Sequence, residues 1–484
     1  MASRLWGDLA ARGTLPGGYR SALVAVLIAT FLLRFGLAVY SPNIHQADEI
    51  YQAAEQANRA VHGYGIESWE FREAARSALY PTLVTPAFWL NVDASTRQSL
   101  IAAWLSLLSL IPVAIAFHWA GRTHGIRGGV IAALMMGTWF ELVYFAPKPT
   151  ADAVSGYVFL AALFFARPAA GPGGVALAAA CLALTLGLRM QIAPAIGVAM
   201  LATLAIDFRR RTVTVLAGAA AGLLLVGIVE WLWWGTPFRG HVNYLRMEFV
   251  HRVSEHFGRE PLTFFAKNYV LIYGAALPIV VLLTWIGAKS APILLIAAVA
   301  LVIPFHVVGH KEYRFLVVAL PVVLMLMGLA AAELMSRIPS LATNRGLGVA
   351  AATWLVAMIA LSLGESYRPF WIRDRNHIWA FREIGGRPDA CGVALVGIRW
   401  FHTPGYSGLG RDIPIYETGR EPLNPTIAAA ANYVLVGHKA PIPADPYVRV
   451  RTYARPEEHL YQRPGTCVPD PAAKIVSPDP IPGG

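Results

Sequence analysis

The chain has 484 residues, of which 56% are hydrophobic and only 14% charged, with a mean hydropathy of +0.50 and a net charge of +11. Soluble domains run near about 45–50% apolar and about 25% charged. The apolar residues here gather in runs of about 16 to 23, long enough to cross a bilayer, which excludes a large soluble protein. The surplus Arg lies in short loops with no aromatic-interleaved basic patch, so it fits membrane orientation and lipid contact, and no nucleic acid partner is expected.

In chain order, Arg4, Arg12 and Arg20 precede a first apolar run at 21–40. The pattern is that of a signal sequence, but no small-residue cleavage site follows, so it reads as a retained first span. A charged stretch, HQADEIYQAAEQANRAVHGYGIESWEFREAARSALYP, then covers His45 to Pro81. Asp48, Gln52 and Glu55 stand at i, i+4 and i+7 and share one helix face, opposite Ile50, Ala53, Ala54 and Ala57. An amphipathic helix on the membrane surface is expected, with Asp48 and Glu49 beside His45 as either a solvated, dipole-favoured start or an acid site. Between Trp69 and Ser77, the residues Glu70, Arg72, Glu73 and Arg76 are spaced to pair at i+3 and i+4, a self-neutralising helix.

Eleven spans are predicted, at 21–40, 98–118, 128–146, 151–166, 173–188, 192–208, 212–234, 268–287, 291–308, 314–332 and 347–364. The short loops that alternate to one side carry Arg and Lys, which places the N-terminus inside. The segments 41–97, 235–267 and 309–314 and everything after 364 then face outside. Asp152 and Arg189 lie near that outer face, as caps, as snorkelling residues or as part of a cavity lining. The junction FHVVGHKEYRF crowds His306, His310, Lys311, Glu312 and Arg314 between two apolar runs. Ionisable groups at membrane depth are costly and mark function, and a His-Lys-Arg group suits a lipid phosphate. His306 and His310 are spaced as a metal pair. Further ligands are missing at characteristic spacing and the neighbouring cations oppose a metal, so no metal is expected.

Beyond 364 the composition shifts to Pro, Gly and charge, with buried-strand patterns at 393–398 and 433–437 and a tail after 467 that reads as loose. The organisation is therefore 1–364, a transmembrane domain carrying the outer loop 41–97, and 365–484, a small extracytoplasmic α/β domain. Cys391 and Cys467 either pair, if that domain is extracytoplasmic, or remain free thiols. An outer-face carboxylate and an outer-face basic cluster together suit glycosyl transfer from a lipid phosphate. The acid takes the proton of the incoming hydroxyl, cations hold the leaving phosphate, and a single displacement inverts the anomeric centre. Two other classes compete. A transporter or flippase of lipid-linked sugars would favour broken or charged helices at mid-membrane, and a glycan-binding scaffold would leave Asp48 dispensable.

The stretch DEIYQAAEQANRAVHGYGIESWEFREAARSALYP (48–81) resembles the first outer loop of glycosyltransferase family 22, whose pattern runs D-E-x-x-Q-x-x-E, G-Y-G-x-x-T-W-E and R-S-x-x-Y-P. HKEYRFL (310–316) is similar to that family's H-K-E-x-R-F motif, and HTPGYSGLGRDIPIYE (402–417) resembles the tail of the branch that adds the third mannose of the GPI anchor. Ala47 and Ser68 depart from the usual Pro and Thr, and KPTADAVSGY (148–157) matches poorly. The resemblance implies an α-helical polytopic membrane protein of GT-C type, with about eleven transmembrane helices and a small α/β C-terminal domain. It implies a polyprenyl- or dolichyl-phosphate sugar donor, usually mannose, a glycan or glycolipid acceptor, membrane lipids as surroundings, and neither metal nor cofactor. Carried onto this sequence, it makes Asp48 the base with Glu49 as runner-up. It gives Lys311, Arg314 and His310 the donor phosphate, and it leaves His45, Gln52, Glu70, Arg72, Arg76 and Arg189 to bind substrate or support the site. Ala-, Gly- and Arg-rich usage points to a bacterial cytoplasmic membrane, with acid and bases expected in one pocket on its outer face.

Overall fold

The computed structural model describes residues 5–6, 18–475 and 477. Arg4 and Arg12 of the basic N-terminal segment, and 476 and 478–484 of the tail, lie outside the described residues. The chain divides into two compact units: 1–37, 77–79 and 102–368 form the first, and 38–76, 80–101 and 369–484 the second. The division thus falls at 368/369 rather than at 364/365. The first outer loop groups with the C-terminal part instead of with the apolar helices.

Every predicted apolar run falls mainly on helix, and these runs lie in the first unit apart from 38–40 and 98–101. Six stretches are long and apolar enough to cross a membrane: Tyr19–Tyr40, Ala94–Thr138, Phe208–Trp234, Phe264–Ser290, Tyr313–Arg337 and Asn344–Leu363. The apolar helices Ala151–Ala166, Pro172–Leu188, Met190–Leu204 and Pro292–Val307 are shorter. Eleven crossings are reached only by including these and by dividing 94–138 at its bend. There Gly125 adopts φ +72°, a conformation open to glycine at no steric cost, and breaks the helical path. Tyr313–Arg337 is the most buried of the six, with 83% of its most apolar stretch buried, against 11% for Tyr19–Tyr40, Phe264–Ser290 and Asn344–Leu363. These outer helices present large apolar side chains such as Ile28, Val281, Trp285 and Val356, a surface suited to lipid. Arg34, fully buried in the first helix, donates to the carbonyls of Gly137 (3.1 Å), Ser109 (2.8 Å) and Met136 (2.8 Å), so its charge is met by helix-end dipoles.

The second unit is built on a five-stranded sheet. β1 (Val393–Val396) pairs in parallel with β2 (Ile415–Glu417) and β3 (Tyr433–Val436); β5 (Glu458–Gln462) adds antiparallel to β3, and β4 (Val448–Tyr453) to β5. β1 and β3 are buried along their whole length, as central parallel strands covered on both faces must be. Phe381 and Ile384 of helix Arg375–Gly385 cover one face together with Tyr406 and Leu409, and helix Pro425–Ala430 covers the other. Cys391 and Cys467 form a disulfide. The beginning of the expected loose tail is in fact packed. Lys474 bridges to Tyr416 and the Ile475 amide donates to the Ile415 carbonyl.

Candidate functional site

In the second unit the acid segment is not the uniform helix that its spacing suggested. Ile50–Ala54 is a π-helix leading into the α-helix Glu55–His62. The wider turn removes Glu55 from the face of Asp48 and Gln52. Glu55 is fully buried and accepts the amides of Ile66 (2.8 Å), Tyr406 (3.1 Å) and Ser407 (2.8 Å). Burial pushes its carboxyl up, and these amides pull it back. The Tyr51 hydroxyl adds a bond to the Trp400 carbonyl (2.8 Å). The third acid of the motif is therefore a brace between the loop and the short helix Gly405–Leu409, not part of a solvated face.

Asp48 and Glu49, adjacent in sequence, have different surroundings. Glu49 is 2% exposed and its carboxylate accepts the amides of His45 (2.8 Å) and Gln46 (3.2 Å), closing the helix start. The Asp48 side chain is 27% exposed and faces the Arg76 guanidinium at 3.9 Å. Gln52 donates to Glu70 at 2.7 Å, and burial followed by the charge of Asp48 pushes the Glu70 carboxyl up while Arg76 lowers it. Asp48, Gln52, Glu70 and Arg76 thus form one half-buried group. The self-neutralising helix expected at 69–77 does not form. The helix is only Trp69–Arg72, and Ala74 at φ +45° turns the chain, sending Arg76 to Asp48 and Arg72 to the Ser477 carbonyl (2.9 Å). His45 is buried, its ring edge-on to Phe370 at 4.9 Å.

In the first unit three helix ends bring charges to one place. Asp152 opens helix Ala151–Ala166, Arg189 occupies the break between Pro172–Leu188 and Met190–Ile192, and Arg314 begins the turn that enters the most buried helix. Arg189 meets Asp152 at 2.9 Å, Arg314 meets Asp152 at 3.6 Å and Glu312 at 2.8 Å, and His310 meets Glu312 at 3.1 Å. Phe315 packs against both guanidinium groups, at 5.0 and 5.5 Å. Burial by itself would raise Glu312, but Arg314 and His310 outweigh it and hold the carboxyl well below its usual range. The bond from Glu312 raises His310 against the effect of burial. Arg189 and Asp152 are thus partners in an ion chain, neither caps nor snorkelling residues.

Lys311 is directed elsewhere than the sequence suggested. The residue is 5% exposed, and its ammonium donates to the carbonyls of Val308 (2.7 Å), Glu260 (3.0 Å) and Gly309 (3.4 Å). An ammonium has three donors, and these three acceptors make Lys311 a brace of the loop rather than a phosphate ligand. His306 bonds the Val302 carbonyl (3.2 Å) and packs on Phe265. Among the described residues no three His, Cys, Asp or Glu side chains are grouped to hold a metal. Sequence reasoning missed Glu141, which lies inside a predicted span. It is fully buried and accepts from Trp139 Nε1 (2.7 Å) and from the Tyr273 and Tyr313 hydroxyls. An acid in the middle of an apolar run was the available signal.

The fold is similar to that of ArnT from Cupriavidus metallidurans bound to undecaprenyl phosphate, with a TM-score of 0.61 and 14% identity over 94% of this chain and 99% of that one. The apo state of that protein gives a TM-score of 0.56 at 13% identity, over 82% and 86% of the two chains. Among curated proteins, GPI mannosyltransferase 3 of Yarrowia lipolytica is 24% identical over 84% of this chain and 78% of its own length. GPI alpha-1,2-mannosyltransferase 3 of Danio rerio is 23% identical over 59% of this chain and 55% of its own. Residues 25–368, which include both the acid group and the ion chain, match the Alg9-like mannosyltransferase family. Transport is thereby set aside in favour of sugar transfer on a GT-C membrane fold: the chain is a glycosyltransferase and belongs to the Alg9-like mannosyltransferase family.

Proposed function

We propose that the protein is an inverting mannosyltransferase that moves mannose from a polyprenyl-phosphate donor to a lipid-linked or cell-envelope glycan, on the extracytoplasmic face of a bacterial cytoplasmic membrane. Asp48 is the general base: its carboxylate takes the proton of an acceptor hydroxyl as that oxygen forms the new bond to the anomeric carbon. The bond from that carbon to the phosphate oxygen breaks, and the electron pair leaves with the polyprenyl phosphate. Arg314 and His310 hold that phosphate, with Asp152, Arg189 and Glu312 setting their positions. The sugar phosphate carries its own leaving group, so the reading calls for no cofactor and no metal.

The observation that carries the choice of base is the contrast at 48–49. Glu49 is 2% exposed and its Oε1 accepts two backbone amides, whereas Asp48 keeps a side chain 27% exposed. The undecaprenyl phosphate of the Cupriavidus protein supports a polyprenyl donor. The Cys391–Cys467 disulfide supports an oxidising compartment for the unit that carries Asp48. The test is transfer of labelled mannose from synthetic polyprenyl-phosphate-mannose in membranes. Asp48→Asn is expected to abolish transfer while the protein accumulates normally, and Glu49→Gln to reduce accumulation instead. Unchanged turnover in Asp48→Asn would remove Asp48 as the base.

A further inference from the structure

Glu141 is a carboxylate with no exposed surface, and the three groups that hydrogen-bond it are neutral. Burying a carboxyl group is costly unless its oxygens are served by donors. Trp139 and Tyr273 both donate to Oε2, and among the described residues Tyr313 alone serves Oε1. Tyr313 stands between Glu312 and Arg314, the two residues that link His310 to Asp152 through the ion chain. The surrounding rings hold both ends in place: Trp139 packs edge-on to Tyr273 at 5.5 Å, and Tyr269 lies against Tyr273 at 5.1 Å and Tyr313 at 5.8 Å.

We propose that Glu141 is a positioning residue for donor recognition: by holding the Tyr313 hydroxyl it places Glu312 and Arg314 in register, so that the ion chain presents a preformed anion site. This rests on the donor reading given above. Elementary donor–acceptor counting separates it from a purely structural role. An indole N–H donates only, so in Glu141→Gln the amide oxygen must stay with Trp139 and Tyr273. The amide NH2 then faces Tyr313, whose hydroxyl has to turn round to accept. The substitution keeps volume and packing and reverses a single bond, the one that leads to the site.

Two measurements decide the matter. The first is the titration of His310, followed by 15N NMR in lipid nanodiscs, which needs no donor. Glu141→Gln and Tyr313→Phe are expected to lower its midpoint, because Glu312 moves off it, while Trp139→Phe leaves it in place. The second is steady-state transfer from polyprenyl-phosphate-mannose, in which kcat/KM for the donor is expected to fall about tenfold in the first two variants with the acceptor KM unchanged. The losses should not add in the double variant, as expected of residues acting through one bond. An unmoved His310 midpoint in both variants overturns the inference. So does an equal shift in all three variants together with equal loss of thermal stability, which would leave Glu141 structural only. A shifted midpoint with unaltered donor kinetics upholds the positioning of Glu312 and overturns the donor reading on which recognition rests.

Discussion

His310 and Glu312 show how two neighbouring side chains set each other's charge. Glu312 holds its proton less readily than an ordinary carboxyl and His310 holds its own more readily than an ordinary imidazole. A raised histidine stabilises the fold below its unfolded value of 6.5 and loses that contribution as pH rises through the folded value. A depressed carboxyl stabilises above 4.5 and loses its contribution as pH falls. The pair is therefore strongest between these two values. Donor affinity is expected to decline on the alkaline side of 6.5, and Glu312→Gln should move that decline to lower pH. A pH profile of the donor KM checks this, and a profile identical in the two proteins would count against the pairing. The spacing of the motif disclosed this pair's proximity, whereas the diversion of Lys311 into three carbonyls depended on Glu260, fifty-one residues earlier in the chain.

Among the elements, the turn at 404–407 matters most to the acid segment. Gly405 sits at φ +60°, and a Cβ there would lie 2.7 Å from Glu55 Oε2. Glu55 has no room to withdraw, since its two oxygens serve the amides of Ile66, Tyr406 and Ser407. Gly405→Ala therefore combines a disfavoured backbone conformation with a steric conflict, at a cost of about 1–3 kcal/mol. Thermal unfolding of the detergent-solubilised protein should show the loss, and an unchanged midpoint would mean that the brace yields. Helical periodicity assigned Glu55 to the same face as Asp48 because it assumed 3.6 residues per turn. The π-turn at 50–54 broke that arithmetic, and nothing in IYQAA announces it. β4 was missed for a related reason: VRVRTY is exposed along most of its length at a sheet edge and lacks the buried-strand pattern that marks β1 and β3.

For the whole molecule, the disulfide ties the entry to β1 to the segment beyond β5, across a sequence separation of 76. A closure of that length restricts the unfolded chain, and its removal typically costs about 2–4 kcal/mol. Cys391→Ser and treatment with reductant are expected to lower the unfolding midpoint of the second unit by the same amount. A midpoint insensitive to both would show that the sheet stands without the link. Grouping of the loop 38–76 with the C-terminal sheet means that such a loss also reaches the segment holding Asp48, so activity and stability should fall together in this variant.

Composition and run length by themselves settled that the chain is a polytopic helical membrane protein, because twenty apolar residues in a row have few other stable solutions. Motif residues at 48–55 and 310–314 marked where its charges matter, since ionisable groups beside apolar spans are kept at a cost. The tertiary structure alone decided which partner each of those charges meets. Glu49, Glu55 and Lys311 direct theirs to backbone groups, Arg76 reaches Asp48 from a bend outside any helix, and Arg189 joins Arg314 through Asp152 across 125 residues of chain. Hydrogen bonds and ion pairs are satisfied by whatever the fold brings within about 3 Å, and sequence spacing reports that distance only inside a single regular helix or strand.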